Sequence, residues 1–195
     1  MRVLVACEFS GTVRDAFIAR GHDAMSCDLE PAPGKHYQGN VLEILRDGWD
    51  LMIAHPPCTY LTVAANKWMK PEYAHRFPDR PQQREDAIDF FRALWRADIP
   101  RIAIENPIGI MSSRLRKPDQ VLQPWMFGHP ERKATCLWLS NLPPLYPTKN
   151  VKQEMLSLSR SEQHKMHHLP PSKDRWKLRS ITYQGIADAM ASQWG

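Results

Sequence analysis

The run Asp50-Leu-Met-Ile-Ala-His-Pro-Pro-Cys58 constrains this chain more than any other segment. Its apolar stretch, Leu51 to Ala54, is closed by a double proline. An apolar run of that length bounded by proline predicts a buried strand. Pro56 and Pro57 fix two φ angles and carry no N–H, so the hydrogen-bond ladder ends there. Cys58 is then held on a stiff turn at the carboxyl end of a strand, the edge where open α/β sheets bind ligands. Two readings of that thiol stand. It is a nucleophile at a ligand edge, or a buried cysteine packing as a small hydrophobe.

The rest of the chain supplies partners for such a strand. Arg2 to Cys7 is an apolar, β-branched run that predicts a first strand, followed by the turn Glu8-Phe9-Ser10-Gly11. Thr12 is a good N-cap for a helix over Val13 to Ala19, which Gly21 closes. Asp23 to Cys27 predicts a second strand ending in Asp28, Pro31 to Gly34 a loop, and Val41 to Leu45 a short helix or strand. Asn66 to Pro81 reads as a long loop, and Gln82 to Ala97 as a helix with Ala87, Phe90, Phe91 and Leu94 on one face. Arg101 to Ile104 is another strand, stopped at Glu105-Asn106-Pro107, and Ala134 to Leu139 a further one. Asn141 to Lys177 reads as irregular and proline-rich, and Ile186 to Trp194 as a terminal helix. Strands alternating with helices predict one α/β domain over residues 1–195, built on a mainly parallel sheet flanked by helices.

Composition narrows the class. A hydrophobic share of 43% and a charged share of 24% are those of an ordinary globular chain. The net charge of +5 is compatible with a nucleic-acid or nucleotide partner without requiring one. Cys7, Cys27, Cys58 and Cys136 form no C-x-x-C pair, which disfavours a disulfide framework and fits a reducing cytoplasm. No apolar stretch is long enough to span a bilayer, so no membrane role is expected. His164, His167 and His168 lack metal-ligand spacing, and no metal is expected.

Several polar groups fall at predicted strand ends: Asp28, Cys58 and Glu105, with the Glu8 to Gly11 turn at another. A strand, a glycine turn, a helix and an acid about 20 residues on is the arrangement of a nucleoside-cofactor site. The turn admits the cofactor to the backbone, and the acid accepts bonds from ribose hydroxyls. There is no G-x-G-x-x-G, which disfavours a dinucleotide. Glu105, behind Ile102-Ala103-Ile104, is a shielded carboxylate whose expected pKa is raised, suiting it to proton donation, or it is a cap. Lys67, Trp68, Lys70, Tyr73, His75, Arg76, Phe77 and Arg80 interleave basic and aromatic residues, as a nucleotide-stacking loop or an irregular surface would.

Pro56-Pro57-Cys58 followed by Glu105-Asn106-Pro107 resembles the Pro-Cys and Glu-Asn motifs of S-adenosylmethionine-dependent DNA cytosine-C5 methyltransferases. Phe9-Ser10-Gly11 is similar to their Phe-x-Gly cofactor turn, Asp28 to the acid after their second strand, and Gly39-Asn40-Val41 to a motif near the adenine. Pro130-Glu-Arg132-Lys133 is a loose match to their Gln-x-Arg-x-Arg strand, and Thr182 to Ala187 to the helix motif that closes the cofactor pocket. The overall form is similar to short, phage- or prophage-type members. The resemblance implies a Rossmann-like fold with S-adenosylmethionine held by Phe9, Ser10, Gly11, Asp28, Asn40 and, less strongly, Asp50. It implies Cys58 adding to ring carbon C6 of cytosine while Glu105 protonates or hydrogen-bonds N3 and the exocyclic amine. Arg132 or Lys133 would hold the base or a phosphate. The family's large target-recognition domain is replaced here by Asn141 to Arg179. That leaves two substrates, DNA recognised with a partner protein or little context, and a free cytosine nucleotide. A non-catalytic relative that binds nucleic acid or blocks a host factor is the alternative.

Overall fold

The computed structural model describes residues 1–195. Its strands and helices follow in the order β1 (Arg2–Ala6), α1 (Thr12–Ile18), β2 (Asp23–Asp28), β3 (His36–Gln38), β4 (Leu51–Ala54), α2 (Arg80–Trp95), β5 (Arg101–Pro107), α3 (Met111–Arg114), β6 (Gln120–Leu122), β7 (Thr135–Ser140), α4 (Lys152–Ser157), α5 (Arg160–Gln163), α6 (Lys165–His168), α7 (Arg175–Ser180) and α8 (Gln184–Trp194). The strands form one sheet in the order β3-β2-β1-β4-β5-β7-β6. Pairing is parallel from β3 through β5, whereas β7 runs antiparallel to both β5 and β6. No helix is long and apolar enough to cross a membrane.

Strand residues alternate between two buried faces, as a period of two requires when helices cover both sides. Val3, Val5, Leu51 and Ile53 pack with Phe17 of α1 and Ile186, Met190 and Trp194 of α8. Leu4, Ala6, Met52 and Ala54 point the other way, to Ile88, Phe91 and Leu94 of α2 and to Trp138. Phe91 and Trp138 meet edge to face at 5.2 Å between ring centroids. The expected α/β class therefore stands, with β3 and β6 added at the two sheet margins.

Local differences have physical causes. The first helix is capped at Gly11, not Thr12, and no side chain of the cap residue closes it. Its orphan amides go instead to Glu8: Val13 N–H donates to Oε1 at 2.7 Å and Arg14 N–H to Oε2 at 3.3 Å. A carboxylate at a helix N-terminus satisfies both the amides and the dipole. β5 runs through Glu105 and Asn106 to Pro107 because β7 pairs with it in register that far. Pro107 breaks nothing at the end of a strand. α2 begins at Arg80 with Pro81 in its first turn, where a missing N–H is harmless. The expected irregular stretch from Asn141 to Lys177 holds the short helices α4 to α6 and the start of α7.

Candidate active site

The strand order turns back between β1 and β4, so a crevice opens at their carboxyl ends. Register decides what meets there. Ala6 pairs with Ala54, and Ala54 with Ile104. One residue further on, Cys7 and His55 lie just past the ends of β1 and β4, side by side with Glu105 of β5. These residues line a cavity of about 110 Å³ with Pro57, Cys58, Lys133, Arg179 and the Glu8 to Ser10 turn. A second cavity, of about 300 Å³, is walled by Cys27, Asp28, Leu29, Asn40, Leu42 and Phe90. Cys7 and Pro57 line both, so the cavities adjoin.

Asn106 holds the two motifs together. It is 2% exposed, and its Nδ2 donates to the Pro56 carbonyl at 2.8 Å. The turn that carries Cys58 is thus tied to the strand that carries Glu105. Cys7 adds a strained backbone at the same level, with φ of 58° in the left-handed region. For a non-glycine residue such a conformation persists only where its surroundings enforce it, and it concentrates at functional sites. No sequence signal marks it.

The electrostatics differ from the sequence expectation at Glu105. Its side chain is 21% exposed, and Oε2 lies 2.9 Å from His55 Nδ1. Burial raises its pKa, but bonding and charge from His55, the charge of Lys133 and the nearby Thr135 hydroxyl together outweigh burial and lower it. The expected raised pKa is corrected: Glu105 rests ionised, because the strand register delivers a histidine to it. Burial raises the Cys58 thiol, and Glu105 adds to the rise, while Arg179 and Lys133 oppose it without reversing it. Cys27 is pushed up to about 12 by burial, and burial raises Cys7 as well. Cys58 is therefore the thiol of this crevice with cations set against its burial.

The remaining residues singled out from sequence divide. Phe9 and Ser10 line the first cavity, with Gly11 behind them at φ 74°. The Phe9 ring is covered edge to face by Trp176 of α7 at 5.8 Å. Lys177 of α7 pairs with Glu30 at 2.6 Å, so α7 closes over the crevice from outside. Asp28 and Asn40 border the second cavity, where Asp28 accepts from Glu30 N–H at 2.9 Å and Asn40 from Leu42 N–H at 3.1 Å. Asp50 lies apart from both cavities, at the amino end of β4, accepting the Arg2 N–H at 2.6 Å; β4 itself carries it away from the ligand edge. Lys133 lines the first cavity and donates to the Arg179 carbonyl at 2.7 Å. Arg132 instead turns to Gln163 of α5, at 2.9 Å. The basic and aromatic residues after Cys58 pack on one another, with Trp68 against Tyr73 and Phe77 and with Arg80 over Tyr60 and Phe77.

His55 was not foreseen as a site residue. His55 stood inside the most telling motif, and only the pairing of β4 with β5 puts it on Glu105.

No family model matches the chain, and no curated protein matches it. Among solved structures, the chain is similar to a protein encoded within an E. coli prophage and described as a candidate DNA modification methyltransferase. The TM-score is 0.42, at 15% identity over 71% of this chain and 46% of that one. The chain thus spans less than half the length of that protein.

Proposed function

We propose that this protein is an S-adenosylmethionine-dependent methyltransferase acting at C5 of cytosine, in DNA or in a cytosine nucleotide. One observation carries the reading: Cys58 and Glu105 line one cavity, and that cavity adjoins a second of the kind a nucleoside needs. The second cavity has apolar walls in Leu29, Leu42 and Phe90 for a flat ring, and the Asp28 carboxylate for ribose hydroxyls. Glu8 already fills the α1 N-terminus, the usual seat of a diphosphate. That disfavours a dinucleotide and suits a cofactor whose reactive centre is cationic. S-adenosylmethionine supplies, when bound, an electrophilic methyl group on a sulfonium.

The chain's own residues supply the rest. Cys58, as thiolate, adds to C6 of the ring, which makes C5 electron-rich. Lys133 and Arg179 favour that thiolate and face the charge that passes onto the ring. Glu105, ionised, accepts from the exocyclic amino group of the base. Loss of the C5 proton to a base and elimination of the Cys58 thiolate restore the aromatic ring, since a thiolate is also a good leaving group. α7 rests on Phe9 and pairs through Lys177 with Glu30 at the rim of the crevice.

The test is product mass spectrometry. The protein is incubated with S-adenosylmethionine and, separately, duplex DNA, single-stranded DNA, RNA, dCMP and dCTP, with Cys58→Ala alongside. Cysteine-dependent 5-methylcytosine in one pool establishes the activity and its substrate. Cofactor binding with no product in any pool favours the non-catalytic alternative.

A further inference from the structure

Glu105 does not work alone in this crevice. His55 follows β4 directly, its backbone N–H donating to the Ala6 carbonyl at 2.9 Å, so the ring is fixed at the cavity floor. Its side chain is 8% exposed. Nδ1 lies 2.9 Å from Glu105 Oε2, and Nε2 is buried with no partner. A bond of this length to an ionised carboxylate places a proton on Nδ1, which donates to Glu105. That bond takes one carboxylate oxygen and leaves the other as an acceptor. The groups around Glu105 from the neighbouring elements are Lys133 just before β7, Thr135 at its start, Cys136 within it, and Cys58 on the turn. Lys133 and Thr135 favour the ionised carboxylate as well, but only His55 bonds it from the same sheet edge at full charge-assisted distance.

We propose that His55 is a positioning residue that fixes Glu105 as a hydrogen-bond acceptor, and thereby selects a base edge bearing an amino group over one bearing a carbonyl. This rests on the cytosine reading above and adds to it the residue that makes the choice. An ionised Glu105 with one oxygen committed to His55 accepts an exocyclic N–H. It repels the carbonyl oxygen that uracil presents at the same place. Without the His55 donor, burial acts on Glu105 with less opposition, the carboxyl takes up a proton, and it can then donate to a carbonyl. Discrimination is lost by gain of the wrong substrate rather than by loss of the right one.

The experiment has two readouts. The first is a carboxyl ¹³C NMR titration of Glu105, assigned with Glu105→Gln, in wild type, His55→Gln and His55→Leu. The second is binding of dCMP against dUMP, and of a single-stranded DNA carrying one cytosine against the same strand carrying uracil. His55→Gln keeps an N–H donor and His55→Leu removes it. Expected is a Glu105 titration below the ordinary carboxylate range in wild type, near that value in His55→Gln, and moved upward in His55→Leu. The preference for cytosine should fall about tenfold or more in His55→Leu at neutral pH, the loss of one charge-assisted contrast, and be largely kept in His55→Gln. An unmoved Glu105 titration in a folded His55→Leu protein overturns the proposal whatever the substrate. A moved titration with unchanged base preference overturns the selective role. A Glu105 titration that moves in His55→Leu, with a wild-type protein that binds neither base, overturns the cytosine reading, and with it the selection, while the coupling of His55 to Glu105 stands.

Discussion

Asn106→Ala is the sharpest perturbation of the frame that holds the site. The side chain is 2% exposed and donates one hydrogen bond, to Pro56 O at 2.8 Å. Truncation removes the donor and leaves a buried carbonyl on a turn whose prolines contribute no N–H of their own. Leaving a buried acceptor unpaired costs roughly 1–3 kcal/mol, so about 2 kcal/mol is the expected loss. For a chain of this size that corresponds to a fall in Tm of about 4–8 °C. The loss should not stay in stability alone. The bond ties the Pro56-Pro57-Cys58 turn to β5, so Cys58 loses its fixed relation to Glu105, and product formation should fall further than the folded fraction does. The assay is thermal melting by circular dichroism beside 5-methylcytosine formation, measured well below the variant's Tm. Asn106→Asp, which puts a carboxylate against the Pro56 carbonyl, should be worse on both. A Tm for Asn106→Ala within about 1 °C of wild type, given the sensitivity expected at this chain length, together with unchanged turnover, would refute the reasoning.

Other outcomes follow from the same geometry. Alkylation of Cys58 by iodoacetamide should be slow at neutral pH and keep rising with pH beyond the ordinary thiol range, because burial raises its pKa; Lys133→Ala should slow it further at a fixed pH, read by peptide mass spectrometry. Gly11→Ala should lower Tm, since φ is 74° there and an added Cβ would collide with the Arg14 guanidinium; the left-handed backbone alone costs about 1–2 kcal/mol. Lys177→Ala should leave Tm unchanged, because its pairing with Glu30 is on the surface, yet weaken retention of S-adenosylmethionine by loosening α7, measured as a faster dissociation rate. Glu105 stabilises the fold through its lowered pKa, so that contribution is present at neutral pH and lost as pH falls through the folded-state value; the acid limb of Tm against pH should flatten in Glu105→Gln.

The fold was readable where the chain obeys one period at a time. Leu51 to Ala54 and Ile102 to Ile104 are apolar runs with proline nearby, and each is a central strand of the sheet. β3 and β6 were not readable, because three-residue margin strands such as His36-Tyr37-Gln38 carry no apolar run. They form only because β2 and β7 offer an edge. Thr12 is a sound N-cap by type, but the Glu8 carboxylate reaches the same amides from four residues upstream. The site divides the same way. Cys58 and Glu105 were legible from the residues around them, while the state of Glu105 was not. It depends on His55, 50 positions away in sequence, and on Lys133 and Thr135 arriving from β7. Register across the sheet carries that information, and no local pattern does.

The central claim is a covalent bond between Cys58 and the base, and intact-protein mass spectrometry tests it most directly. A cytosine with fluorine at C5 offers no C5 proton to lose, so the adduct formed with S-adenosylmethionine present cannot eliminate. DNA or nucleotide carrying that base, drawn from the pool that the wild type methylates, should leave a stable mass increase equal to the methylated base unit. Peptide mapping should place it on Cys58, and Cys58→Ser should show none. A wild-type protein that methylates cytosine without trapping this base, or that traps it at another residue, would contradict the account.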